Sequence, residues 1–217
     1  MVRSAVGGAA VFCTVAALRC NRYDVFKNAL GATINAISFV HYCSIEALRT
    51  TNTDGSHEHS SSDVISIRLA DWSMTLPLLV LEIHLFMNSS IEDIVIGSAL
   101  SFAMVFFGAW GCTLFSELSA ENEEKTNSSG DHSKLFLLAL AWAYFVCTLF
   151  NFYCQFPLCN TAHEVIVLAF TAPWFLYGVV FMAYDRIDAD TKNVCFNTLD
   201  VYSKAILAMT LAVYTLE

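Results

Sequence analysis

Seven apolar runs, residues 4–19, 28–48, 64–87, 92–117, 133–156, 164–184 and 195–216, fill most of the chain. A helix needs about 20 apolar residues to cross the hydrocarbon layer of a membrane. Runs of this length recur from one end of the sequence to the other, which a water-soluble core does not require. The pattern predicts an all-α membrane protein, a seven-transmembrane-helix bundle. Only 14% of the 217 residues are charged, where a soluble domain carries about 25%. No Pro-, Gly- or Ser-rich linker divides the chain, so residues 1–217 are expected to form a single domain.

The net charge of −9 argues against a nucleic-acid partner, whose phosphates need cationic surfaces. The lipid bilayer is the expected surrounding. None of the eight cysteines stands in a CxxC or other metal spacing, and they are expected to be small core residues. The first run is short and lacks a signal-peptide layout, so a first helix is expected to begin almost at Met1. Three polar connectors, 49–63, 117–134 and 184–194, are expected on one side of the membrane. Arg19, Arg22 and Lys27 crowd the first connector, which suggests a cytoplasmic connector and an N-terminus outside. Arg49, Lys125, Lys134, Arg186 and Lys192 lie on the opposite side, and this plain count argues the other way. Of the sequons at Asn88 and Asn127, only the second would face outside.

Ionisable groups inside membrane spans are costly, so each one raises a functional question. The last run, NTLDVYSKAILAMTLAVYTLE, places Asp200 and Lys204 four residues apart on one helix face. They could form a structural ion pair. They could also be a lysine condensed with an aldehyde, as a protonated imine, beside its counterion. The third run, RLADWSMTLPLLVLEI, carries Arg68, Asp71, Thr75 and Glu82 on a stripe. Asp71 and Glu82 are three helical turns, roughly 16 Å, apart. Separate acids near the middle and near one mouth of a membrane have the layout of a proton relay. Pro77 can kink this helix. The second run adds His41 and Tyr42.

Together these residues resemble the microbial rhodopsins, in particular the proteorhodopsin-like proton pumps. The motif R-x-x-D-W-x-x-T-x-P-L-L-x-x-E is present as Arg68, Asp71, Trp72, Thr75, Pro77, Leu78, Leu79 and Glu82. The final Asp–Lys signature is Asp200 and Lys204. SFVHY spans residues 38–42, Met104, Phe107, Gly108 and Gly111 match the fourth span, and Leu140, Ala141, Trp142 and Tyr144 match the fifth. The resemblance implies all-trans-retinal bound covalently to Lys204, with Asp71 and Asp200 as counterions and Arg68 beneath them. Asp71 would accept the proton, His41 would partner it, Tyr42 would hydrogen-bond Asp200 and Glu82 would be the cytoplasmic donor. Trp72, Thr75, Leu79, Met104, Gly108, Trp142 and Pro173 would line the retinal pocket. A homo-oligomer, trimer or pentamer, is a further implication.

The sixth run, AFTAPWFLYG, departs from that pattern. With Pro173 taken as the family proline, the tryptophan four residues before it is Ala169. The aromatic just before it is Ala172, and Leu176 stands three residues after. Phe170, Trp174 and Tyr177 are the residues that could fill the space from other angles, but as the run reads, the pocket loses one aromatic wall and Asp200 loses one hydrogen-bond donor. No acidic pair for proton release is identifiable, and Asp185, Asp188 and Asp190 read as a solvated loop. The expected function is a light-driven outward proton pump rather than an enzyme. A light-gated channel, a photosensor and a retinal-free charge-relay transporter are the alternatives.

Overall fold

Each apolar run becomes helical, because only internal hydrogen bonding satisfies the backbone where water is absent. The computed structural model describes residues 2–19, 22–51, 57–121, 129–155, 161–182, 187–214 and 216. Five long helices come first: α1 (Val2–Arg19), α2 (Arg22–Thr51), α3 (His57–Phe86), α4 (Ile91–Glu121) and α5 (Ser129–Gln155). The sixth span is two helices, α6 (Thr161–Thr171) and α7 (Trp174–Met182). The seventh is α8 (Ala189–Asp200), a π-helical segment (Val201–Ile206) and α9 (Leu207–Tyr214). Several helices extend a few residues past their apolar runs. Asn127, Asp185, Cys20, Cys159 and much of the three polar connectors lie outside the described residues.

Pro173 accounts for the break in the sixth span. It has no N–H to continue the ladder, and it disfavours the helical conformation at Ala172. Phe175 and Leu176 then donate to the carbonyls of Ala172 and Pro173 at 3.2 and 2.9 Å, which tightens the turn. Pro77, by contrast, is accommodated inside a continuous α3. At the α3–α4 turn, Asn88 takes φ 56°, a left-handed conformation that asparagine tolerates better than most residues. Ser90 then caps α4: it accepts from the Asp93 N–H at 3.2 Å and donates to the Asp93 carboxylate at 2.6 Å.

Successive helices α1 to α5 pack on their neighbours, α7 packs on α8, and α1 packs against the π segment and α9. The first span therefore contacts the last. Among the described residues, five helical stretches are long and apolar enough to cross a membrane: Val2–Arg19, Val64–Phe86, Ile91–Gly111, Leu135–Gln155 and Thr161–Phe181. The second and seventh spans are less apolar because they carry Asn28, Asn35, Ser38, Asp200 and Lys204, all buried in the bundle. The outer surface is apolar instead, with Leu18, Phe26, Val40, Phe150 and Tyr153 exposed. This places polar groups inside and apolar groups outside, as a lipid solvent requires. Cys13 is buried, but Cys147 and Cys154 are exposed on α5, so the expectation of core cysteines holds only in part. The outward face of a lipid-embedded helix accepts small apolar side chains as readily as the core does.

Candidate functional site

The π segment carries Lys204 into the centre of the bundle, where the residue is only 1% exposed. Insertions of this kind into an α-helix recur at functional sites. Here the Asn35 side-chain amide donates to the Lys204 carbonyl at 3.4 Å. The Lys204 ammonium bonds Asp71 Oδ2 directly and stands 3.6 Å from Asp200 Oδ1. Among the described residues it is the lysine that lies buried in the bundle.

Each carboxylate has its own partners. Asp71 accepts from the Ser38 hydroxyl at 3.0 Å, and His41 Nδ1 lies 3.3 Å from the same oxygen. That ring nitrogen is also 3.0 Å from the Ile37 carbonyl. Asp200 accepts from the Tyr42 hydroxyl, from Trp72 Nε1 at 3.1 Å and from the Tyr177 hydroxyl at 2.7 Å. Arg68 Nη1 lies 3.7 Å from Asp200 and 3.3 Å from the Tyr42 oxygen. Its Nη2 donates to the side-chain carbonyls of Asn193 and Asn197 at 3.2 and 2.6 Å. Two cations therefore face two carboxylates, and each carboxylate oxygen has at least one side-chain donor. A buried ion cluster is tolerable only with such satisfaction.

An apolar cavity of about 110 Å³, partly open to the outside, lies beside the lysine. Of the residues assigned to the pocket from the sequence, Trp72, Leu79, Met104, Gly108, Trp142 and Lys204 lie in its lining. So do Trp174, Tyr177, Gly178 and Phe181. Thr75 is buried on the same helix, but its hydroxyl turns back to the Asp71 carbonyl at 2.8 Å. Pro173 is not in the lining, which corrects its assignment to the pocket. The sixth span is read five residues too early when Pro173 is taken as the family proline. The spacing of tryptophan, aromatic, proline and aromatic fits Trp174, Tyr177, Gly178 and Phe181 instead, with glycine where the proline stands. Asp200 therefore keeps its donor in Tyr177, and the aromatic wall is intact. A Cβ at position 178 would collide with the Trp142 ring, so glycine is needed there.

Glu82 is held apart from this cluster. It is 3% exposed, and its Oε2 has no hydrogen-bond partner among the described residues. Gly31 of α2 leaves the space for it: a Cβ at position 31 would come within 2.6 Å of Glu82 Oε1 and 3.6 Å of Cys13 Sγ. Asp188 lies outside the spans and caps α8 by accepting from the Thr191 N–H at 2.9 Å. Hydrogen bonds from Thr191 hold its carboxyl below the usual carboxylate range.

The bundle and its buried lysine between two aspartates define a class: seven-helix membrane proteins built around a covalently held chromophore. The model of the bacteriorhodopsin-like proteins matches residues 1–217, and the chain belongs to that family. Its cofactor is retinal, bound covalently through a lysine, and the family's members are pumps, channels and sensors rather than enzymes. The chain is similar to the solved structure of Acetabularia rhodopsin I, at 18% identity and TM-score 0.77, covering 98% of this chain and 89% of that one. It is also similar to a light-driven proton pump from Leptosphaeria maculans, at 16% identity and TM-score 0.76, covering 98% and 92%. A blue light-absorbing proteorhodopsin from Med12 matches at 16% identity and TM-score 0.71, covering 99% and 92%. No curated protein matches the chain. The residues present suit retinal: an amine in the lining of an apolar cavity, aromatic side chains in the same lining, and two carboxylates at the amine.

Proposed function

We propose that this protein is a light-driven outward proton pump, with retinal attached to Lys204 and the N-terminus outside the cell membrane. Retinal supplies a light-triggered change of shape and of affinity for the proton on the Lys204 nitrogen. The protein's residues give that change a direction. Asp71 Oδ2, already bonded to the Lys204 nitrogen, is the acceptor. Asp200 is held by three side-chain donors and balances charge at the site throughout. Arg68 closes the outer side beneath both carboxylates. Glu82 returns a proton to the lysine nitrogen from the other side, three turns along α3. Its place apart from the cluster, buried in the notch that Gly31 leaves, suits a donor.

The observation carrying this reading is the pair Asp71 and Glu82 on one face of α3, one bonded to the lysine and the other remote from it. Illuminating cells that contain the protein and retinal should acidify the medium. Absence of acidification, or acidification that survives Asp71→Asn, overturns the pump. The break in the sixth span favours a second reading, a light-gated channel. Its current would reverse at a potential set by the ion gradient, whereas a pump current stays outward.

A further inference from the structure

Proline frees the carbonyl four residues before it, and Pro173 frees that of Ala169. Ala169 lies on the exposed, lipid-facing side of α6, where no water is at hand to satisfy it. The partner comes from another span. The Tyr202 hydroxyl donates to the Ala169 carbonyl at 3.2 Å. Tyr202 sits in the π segment, two residues before Lys204. Its ring lies against Phe170, with centroids 5.1 Å apart. The lysine-bearing turn and the break in the sixth span are thus joined by one hydrogen bond and one ring contact.

We propose that Tyr202 is a positioning residue that latches the hinge of the sixth span to the lysine-bearing turn. The latch holds α6 in its resting place and passes displacement at Lys204 on to α6. The proline creates the need for a donor, and the π segment places the tyrosine that meets it. The latch belongs to the resting, retinal-loaded protein, so its test stands apart from the transport assay.

Genetically encoded spin labels at Phe26 on α2 and Ala162 on α6, both exposed, report the distance between these helices in the dark. Tyr202→Phe keeps the ring and removes the hydroxyl. It should raise the population with α6 displaced by roughly two- to tenfold, the range carried by one neutral hydrogen bond. Pro173→Ala restores an N–H for the Ala169 carbonyl, so Tyr202→Phe in that background should change little. A purely structural tyrosine would have the same effect in both backgrounds, and that result overturns the latch. An isotope label on the Ala169 carbonyl gives a reading that needs no proline variant. Its infrared band should rise in frequency in Tyr202→Phe, and an unmoved band also overturns the proposal.

Discussion

Asp71 and Glu82 share one helix and one stripe, yet their surroundings are opposite. Asp71 meets a cation, a serine hydroxyl and a histidine ring. Glu82 meets a glycine notch with Cys13 and Ala208 beside it, and one of its oxygens has no partner. The same side-chain chemistry is thus surrounded by bonding partners at one site and by small apolar neighbours at the other. In the proposed pump this contrast supplies direction, and each half can be perturbed separately.

The largest effect is expected at the crowded site. Asp71→Asn should reduce light-driven acidification to background. It should also lower the temperature at which the visible colour is lost, because removing one partner of a buried ion pair costs about 3–5 kcal/mol. Next comes the sparse site. Glu82→Gln should slow reprotonation by about 100-fold or more, the scale of general acid catalysis, with almost no change in the visible spectrum. A large spectral shift would mean that the two sites are not separate. Gly31→Ala should cost about 1–3 kcal/mol of stability by overpacking, read as earlier thermal bleaching. It should slow reprotonation while leaving the first proton transfer untouched. Tyr177→Phe should cost about 1 kcal/mol, the worth of one hydrogen bond, and should shift the visible band because Asp200 loses a donor. The smallest effect lies outside the membrane. The Asp188 carboxyl titrates below its usual range, so its cap is intact at neutral pH and is lost as pH falls through that lowered value. Amide exchange at Thr191 should accelerate only there.

Spans and charges were legible in the sequence because both follow from local rules. A span is a run of apolar residues, and Lys204, Asp200, Asp71 and Glu82 stand out by being misplaced within such runs. The sixth span was not legible in the same way. Its visible proline, Pro173, breaks the helix but lies outside the cavity, while the position facing Trp142 is Gly178. Chain position alone gives no sign of which of two candidate residues marks the wall. The aromatic spacing from Trp174 to Phe181 was the signal that could have done so. Ser38, Asn193 and Asn197 were also missed as partners, since polar residues of their type are common and only the folded arrangement shows what they touch. The π segment is likewise set by packing, and no residue in VYSKAI announces it.

Lys204, Asp71 and Asp200 lie buried in the interior of the bundle, whereas Leu18, Phe26, Val40, Phe150 and Tyr153 face away from it. Interior and coat are therefore separable parts of one molecule. The coat could be rewritten with hydrophilic side chains, residue by residue, to give a coloured protein that dissolves in plain buffer.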